Sequence, residues 1–283
     1  MSSTKQIIAC LGPEGSFSHD FAKKQFSNNP LDFVEGSFED VLQRLIDGNA
    51  EKAVIPFLNS NGSHVRPAQK ALGHYREQIQ VLGCFPHQIR HNVAVAEGFL
   101  GLKKLVSKEQ VFSQCKDWLL QWKEIETENA PSTSAALKNL LAAPLEERRC
   151  TGAICNELAV QIYGGRKLFQ NIQDPKNTTL FLIVSKNKPS LASEQLLVCV
   201  TCPTEDCYRQ TILDFSASGF PLMFTSISGE FSETLPCFLQ FENAGKPDAL
   251  RELLTQNHRT LIGGTSFEES LSACTANLFD QDY

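Results

Sequence analysis

Short apolar segments alternate with helix-periodic segments over the first two thirds of the chain. The clearest helix is predicted over residues 38–48, where apolar side chains recur on one face and Gly48 closes the pattern. Further helices are predicted to begin near Ser18, Arg66, Glu109, Ser132 and Glu157. Strands are predicted at residues 6–11, 32–35, 53–57, 81–85, 91–96, 105–107, 152–154 and 178–184. This alternation is typical of an α/β protein with a largely parallel sheet.

A polar stretch at residues 185–194 separates this region from a tail with a different pattern. The tail is predicted to contain a strand, a helix, two strands, a helix and a strand, at residues 195–202, 205–218, 222–228, 234–242, 246–257 and 260–262. This order is typical of a ferredoxin-like α+β fold. The sequence therefore predicts two units of different architecture.

The 283 residues carry a formal net charge of −6, with 26 Lys and Arg against 32 Asp and Glu. An acidic chain repels nucleic acid at long range, and no apolar run reaches the length of a membrane span, so neither partner is expected. The location expected is the cytoplasm. The ten Cys are scattered, and Cys199 and Cys202 are predicted to point to opposite faces of a strand. No metal or cofactor is predicted.

Four junctions between a predicted strand and a helix combine Gly, Ser, Thr or Asn with a helix N-terminus, at residues 11–18, 57–63, 106–110 and 130–134. Free backbone N–H groups and the helix dipole hold a carboxylate or phosphate at such places. Each junction alone is also compatible with an ordinary helix cap, but four in succession favour an anionic ligand at the carboxyl edge of the sheet. No Walker loop or G-x-G-x-x-G pattern predicts a nucleotide site.

A fifth segment, residues 171–184, leads from a polar cluster directly into an apolar strand. Thr178 and Thr179 stand at the start of that strand. Their presence is explained equally by β-propensity and by a hydroxyl that donates a proton to a leaving group in a dry cleft. The six His are dispersed, and His87 and His91 flank strand ends, where surface or packing roles are predicted.

These segments resemble, in order, the motifs of the prephenate dehydratase family. Residues 11–18 resemble its opening motif, 54–60 its second motif and 107–115 its Ser-His-Pro-Gln segment, and residues 132–136 and 171–181 complete the resemblance. The resemblance implies a catalytic unit at residues 5–186, built of two α/β lobes around a cleft, like type II periplasmic binding proteins. Lobe 1 comprises about 5–80 with 171–186, and lobe 2 about 81–170. An ACT-like regulatory domain is implied at 195–283.

The family converts prephenate to phenylpyruvate with loss of CO2 and water, in phenylalanine biosynthesis. The resemblance implies that Thr179 is the proton donor and that Phe181 is an aromatic wall of the cleft. It implies a homodimer or homotetramer that acts on a small molecule without a cofactor. The substrate-binding residues that follow are Ser16, Asn59, Ser60, Ser107, Gln110, Ser132, Thr133, Thr178 and Phe181.

Three positions depart from the family motifs, since Leu180 replaces Arg, Leu58 replaces Glu and Lys108 replaces His. The first departure implies that a cation for a substrate carboxylate is missing, and Lys108 or Arg66 are candidates to supply it. The ACT-like region departs from the family's phenylalanine site at residues 205–207 and 228–231.

Two other hypotheses remain open. The chain is also similar, at residues 132–136 and 156–159, to prephenate decarboxylases, which release CO2 but keep the ring hydroxyl and also lack the Arg. The other is a catalytically silent ligand-binding homologue.

Overall fold

The computed structural model describes residues 6–60, 64–122, 124–175, 177–187, 189, 191, 194–227, 231, 236–256 and 259–263. The strands are β1 (Ile8–Leu11), β2 (Leu31–Val34), β3 (Lys52–Asn59), β4 (Gln80–Gln88), β5 (Asn92–Val95), β6 (Lys104–Ser107), β7 (Glu126–Asn129), β8 (Thr151–Cys155), β9 (Arg166–Phe169), β10 (Thr178–Ser185), β11 (Gln195–Thr201), β12 (Leu222–Ser226), β13 (Pro236–Glu242) and β14 (Arg259–Gly263). The helices are α1 (Phe17–Gln25), α2 (Phe38–Ile46), α3 (Arg66–His74), α4 (Glu109–Gln114), α5 (Lys116–Leu119), α6 (Thr133–Ala142), α7 (Leu145–Arg148), α8 (Glu157–Tyr163), α9 (Glu205–Ala217) and α10 (Pro247–Leu254).

Helix α2 shows how local sequence sets an element. Ser37 Oγ accepts a hydrogen bond from the backbone N–H of Asp40 at 3.2 Å, and the Asp40 carboxylate accepts one from Ser37 N–H at 2.8 Å, which forms a capping box. Val41 and Leu45 are fully buried against the sheet. The helix ends before Gly48, whose φ of +76° favours glycine. The helix predicted over 38–48 is confirmed.

The strands form two sheets. One has nine strands in the order β12-β13-β11-β14-β4-β10-β3-β1-β2, and the other has five in the order β7-β6-β8-β5-β9. Strands β1, β2 and β3 are parallel, as are β6, β7 and β8, whereas β10 and β5 run against their neighbours. The predicted parallel pairing therefore holds for part of each sheet, and the antiparallel strands lie where the chain passes from one sheet to the other.

The chain leaves the nine-stranded sheet after β4 and returns to it at β10. Strand β4 is hydrogen-bonded to β10 along its whole length, from the Gln80–Ser185 pair to the Gln88–Thr178 pair. Residues 81–88 therefore lie in the same sheet as lobe 1, although the expected lobe boundary was near residue 80. The two connections between the sheets, 89–91 and 170–177, lie next to each other, because Ile172 N–H donates to His91 O at 2.9 Å.

The C-terminal strands and helices follow the order β11-α9-β12-β13-α10-β14, and their strands lie in the spatial order β12-β13-β11-β14. This is the predicted ferredoxin-like arrangement. Its sheet joins the larger one at β14, where Gly263 pairs with Val81. Cys199 and Cys202 pack into different hydrophobic clusters, so they face opposite sides as predicted.

The predicted element ends at residues 228, 234 and 257, and residues 264–283, lie outside the described part of the chain. Among the residues that the structure does describe, no helix combines the length and the apolar character needed to cross a bilayer.

Candidate active site

Thr179 lies at the beginning of β10, between β3 and β4. Its cross-strand neighbours are Asn59 on β3 and His87 on β4. Asn59 Nδ2 donates to Thr179 Oγ1 at 2.9 Å and to Asn177 Oδ1 at 2.9 Å. Thr179 is 8% exposed and Asn59 5% exposed. Because Asn59 donates, the Thr179 hydroxyl accepts this bond and keeps its own hydrogen for another partner.

Ser60 and Thr178 hold the two strands together beside this pair. Ser60 N–H donates to Thr178 O at 2.8 Å, and Ser60 Oγ accepts from Thr178 N–H at 2.9 Å. These two bonds fix the spacing of the strand ends that carry Asn59 and Thr179. The structure therefore brings four of the predicted residues into one group, which we call the β3–β10 cluster: Asn59, Ser60, Thr178 and Thr179.

A buried aromatic group lies next to the β3–β10 cluster. Phe181 is 1% exposed and stacks on Phe21 of α1, with ring centroids 4.5 Å apart and planes 10° apart. The His87 ring meets both rings edge-on, at 5.8 Å and 5.6 Å. The structure thus places Phe181 in the core between the sheet and α1, where it supports the strand that carries Thr179.

His87 forms an ion pair with α1. Its Nε2 lies 2.9 Å from Asp20 Oδ2, and the two side chains are 7% and 19% exposed. Asp20 also accepts from Lys24 Nζ at 2.8 Å. Burial raises the pKa of Asp20, but the hydrogen bonds from His87 and Lys24 outweigh it and hold that pKa below its usual value. Asp20 therefore stays ionised beside the imidazole.

Ser107, Gln110, Ser132 and Thr133 form a second group, at the carboxyl edge of the five-stranded sheet. Ser107 is fully buried and its Oγ donates to Ile154 O at 2.9 Å. Ser132 caps α6 by accepting from Ala135 N–H at 3.0 Å, and Thr133, 6% exposed, opens that helix. Gln110 is exposed in the first turn of α4. These four residues lie on the other sheet from Thr179.

The loop of the opening motif connects the two sheets. Ser16 caps α1, accepting from His19 N–H at 3.2 Å and donating to Leu11 O at 3.2 Å. A Cβ on Gly15 would lie 3.1 Å from the Cα of Ala159 on α8, and Tyr163 OH donates to Glu14 O at 2.8 Å. The carboxyl edges of the two sheets therefore meet along this loop and α8.

His91 makes a second connection between the sheets. Its ring is fully buried, meets Phe17 of α1 edge-on at 5.3 Å and lies 2.8 Å through Nε2 from Gln114 Oε1 of α4. Burial lowers the pKa of His91 to about 4, although the bond to Gln114 opposes this shift. The imidazole is therefore neutral at pH 7, and Nε2–H is the donor to Gln114.

The structure changes the interpretation of two motif departures. Leu180 pairs across the strands with Leu58, and both are essentially inaccessible to solvent. They pack in the cluster that contains Leu42 and Leu72, whereas Phe181 packs in a separate cluster with Phe21. Position 180 therefore faces away from Thr179, so the expected loss of a substrate-binding cation at this position is not supported. Lys108 and Arg66 are exposed residues at the starts of α4 and α3.

The geometry can be compared with known proteins. The family model described as prephenate dehydratase matches residues 8–189. The chain belongs to the prephenate dehydratase family. The bifunctional chorismate mutase/prephenate dehydratase of Stutzerimonas stutzeri is 25% identical over 221 residues, which cover 76% of this chain and 59% of that protein. The chain thus spans less than two thirds of that bifunctional relative.

Solved structures show that the fold of the family extends through the C-terminal unit. A prephenate dehydratase from Arthrobacter aurescens, in complex with L-Phe, has a TM-score of 0.73 at 17% identity and covers 92% of this chain and 90% of its own. GqqA, described as a novel type of quorum-quenching acylase, has a TM-score of 0.70 at 18% identity, with 92% and 97% covered. The expected fold class, a two-lobed α/β unit like type II periplasmic binding proteins followed by a ferredoxin-like α+β unit, is confirmed.

Sequence reasoning missed His87, Asp20 and Asn177 as parts of the site region of this family member. Asp20 is 67 positions from His87 and Asn59 is 118 positions from Asn177, so no local spacing marks these pairs. The only available signal was their neighbourhood to predicted residues, since Asp20 follows the opening motif and Asn177 precedes Thr178. Among the described residues, no three His, Cys, Asp or Glu side chains are grouped to bind a metal ion.

Proposed function

We propose that the protein is a lyase of the prephenate dehydratase type that converts prephenate to phenylpyruvate. In this reaction the ring carboxylate leaves as CO2, and its bonding electrons enter the ring and expel the hydroxyl from the opposite carbon. The departing hydroxide takes the proton of Thr179 Oγ1 and leaves as water. The gain of aromaticity drives the step, so the enzyme has to supply position and one proton rather than a covalent intermediate.

The hydrogen bond from Asn59 to Thr179 is the observation that supports this proposal most directly. A buried hydroxyl that accepts a 2.9 Å bond from a fixed amide has its remaining hydrogen directed elsewhere. After the proton has left, the same N–H stabilises the negative charge that develops on Oγ1. The arrangement suits a proton donor and is more than β-propensity requires.

The carboxylates of the substrate are proposed to bind at the loop and helix ends of both sheets. Ser16 and Ser132 cap α1 and α6, so the other N-terminal N–H groups of these helices are available for an anion. Thr133, Ser107 and Gln110 contribute from the five-stranded sheet. The β3–β10 cluster contributes from the other side, with Phe181 supporting Thr179 from the core.

Product analysis of the purified protein tests the proposal. Prephenate is incubated near neutral pH with the wild type, with Thr179→Val and with Thr127→Val, a matched control at an exposed position on β7. We expect phenylpyruvate from the wild type and the control, and a loss of about 10²-fold or more in Thr179→Val. Equal rates in all three proteins would contradict the role of Thr179.

The mass of the product separates the remaining hypotheses. A product heavier than phenylpyruvate by one water, with no aromatic absorbance, identifies decarboxylation without dehydration. Binding of prephenate in a calorimeter without any product identifies a silent homologue. Either result replaces the dehydratase proposal.

We further propose that residues 5–186 form the catalytic unit and that 195–283 form an ACT-like regulatory unit of a homodimer or homotetramer. The βαββαβ order of the C-terminal unit supports this assignment. The relative from Arthrobacter aurescens was solved with L-Phe, so L-Phe is the first effector to test. The departure at 205–207 favours no response to L-Phe, while that at 228–231 falls largely outside the described residues. Light scattering with and without L-Phe measures both the oligomer and the response.

A further inference from the structure

The proposed reaction needs a proton source behind Thr179. A threonine hydroxyl does not ionise near neutral pH, so it passes a proton to the leaving group only if another proton reaches Oγ1. Asn59 stabilises Oγ1 but has no proton to give, because an amide does not titrate in this range. A titratable group on the same face of the sheet as Thr179 is therefore required.

His87 occupies that position. It is the cross-strand partner of Thr179 on β4, and directly opposed residues on one face of an antiparallel pair have Cβ atoms about 5 Å apart. Its ring lies on the face of Thr179 and Phe181, because it meets the Phe181 ring edge-on at 5.8 Å. Histidine is the side chain whose ordinary pKa allows it to gain and lose a proton near pH 7.

Asp20 holds the imidazole in place. Its carboxylate contacts Nε2 at 2.9 Å, so a proton passed towards Thr179 leaves from Nδ1. The charged groups that face His87 among the described residues are Asp20 and, paired with Asp20, Lys24, both on α1. β10 adds the hydroxyl of Thr179 and the ring of Phe181. A single carboxylate next to the imidazole favours the imidazolium form.

We infer that His87, oriented by Asp20, is the positioning residue that supplies the proton which Thr179 delivers to the departing hydroxide. The imidazolium gives its Nδ1 proton to Oγ1 as Oγ1 gives its own to the hydroxide. The imidazole becomes neutral, water leaves, and the solvent returns the proton to His87. This inference rests on the proposed dehydratase function and adds the residue that makes its proton step pH-dependent.

The experiment compares the pH dependence of kcat/KM for prephenate in four proteins: the wild type, His87→Gln, Asp20→Asn and the control His74→Gln, which changes an exposed histidine of α3. Since the imidazolium is the active form, wild-type activity should fall as the pH rises through the pKa of His87. In His87→Gln, whose amide keeps a donor for Asp20, this alkaline limb should disappear, and activity at lower pH should fall about 10²-fold.

Asp20→Asn provides the directional test. Removing the carboxylate destabilises the imidazolium, so the alkaline limb should move to lower pH by about one unit or more. A residue that only packs against Phe21 and Phe181 would lower the rate without moving the limb. His74→Gln should match the wild type at every pH.

Each outcome decides the inference. A wild-type rate and pH profile in His87→Gln overturns it, as does an unmoved limb in Asp20→Asn. If His87→Gln does not fold, the shift in Asp20→Asn decides alone. Phenylpyruvate formation by the wild type with either contrary result leaves the proposed function standing and removes only the role of His87, whereas no formation by the wild type removes both.

Discussion

Acidification from pH 7 to pH 5 is expected to destabilise the fold by about 2 kcal/mol through His91 alone. The His91 ring is fully buried where the two sheets meet, between Phe17 and Gln114. Its Nδ1 is buried and has no hydrogen-bond partner, so protonation would create a second, unpaired N–H donor. Replacing His91 with Gln removes the titration and keeps an amide that can face Gln114.

The magnitude follows from the pKa of His91 in the two states. Burial lowers this pKa from 6.5 in the unfolded chain to about 4 in the fold. Between these values the unfolded state binds the proton and the folded state does not, so stability falls as the pH drops through 6.5 and levels off below 4. Each pKa unit is worth about 1.4 kcal/mol, which gives a maximum of about 3 kcal/mol and about 2 kcal/mol of it by pH 5.

Urea unfolding at pH 7 and pH 5 measures this effect. The fluorescence of Trp118 and Trp122, which pack together and against Phe169, reports on the five-stranded part. His19 and His64 also have pKa values lowered by burial, so the quantity of interest is the difference between wild type and variant. His91→Gln should lose about 2 kcal/mol less than the wild type on acidification. An equal loss in both proteins would refute a neutral, buried His91.

Three further changes are expected to have measurable effects. Asn59→Ala should lower product formation by about 10²-fold and, because it leaves buried acceptors without a donor, the free energy of unfolding by about 1–3 kcal/mol; steady-state assays and urea unfolding check this. Gly15→Ala should destabilise more than Gly48→Ala in thermal melts, because both glycines have φ near +77° but only Gly15 packs against α8. Leu180→Arg should destabilise by about 3 kcal/mol or more, and adding Leu58→Glu should recover part of that loss in a double-mutant cycle; full additivity would argue against their pairing.

Periodicity predicted the elements with a buried face and missed those without one. The α1, α2, α6 and α8 helices and the strands β1, β3 and β10 were predicted because apolar residues recur along them. Strand β7 was missed, because all four of its residues are exposed and it is formed by pairing with β6 at the sheet edge. An edge strand of this kind depends on its neighbour rather than on its own pattern.

The site was predictable where motifs mark it and not where register decides it. Asn59 and Thr179 were predicted from their segments, and the structure brings them within 2.9 Å. The ion pair of His87 with Asp20 depends on β4 lying beside β10 and on α1 covering that face, neither of which the sequence reveals. The orientation of Leu180 likewise required the strand register.

The two leucines at motif positions are best understood as one change. Where relatives carry Glu and Arg, this chain places Leu58 opposite Leu180 in a cluster that also includes Phe238 of the C-terminal unit. A hydrophobic pair of this kind replaces a buried ion pair at little cost or with a gain in stability. A register shift in β3 leaves Phe57 without a partner on β10, and Phe57 meets Phe238 edge-on at 5.1 Å. Packing of the C-terminal unit is therefore felt two residues from Asn59, on the strand that positions the Thr179 hydroxyl.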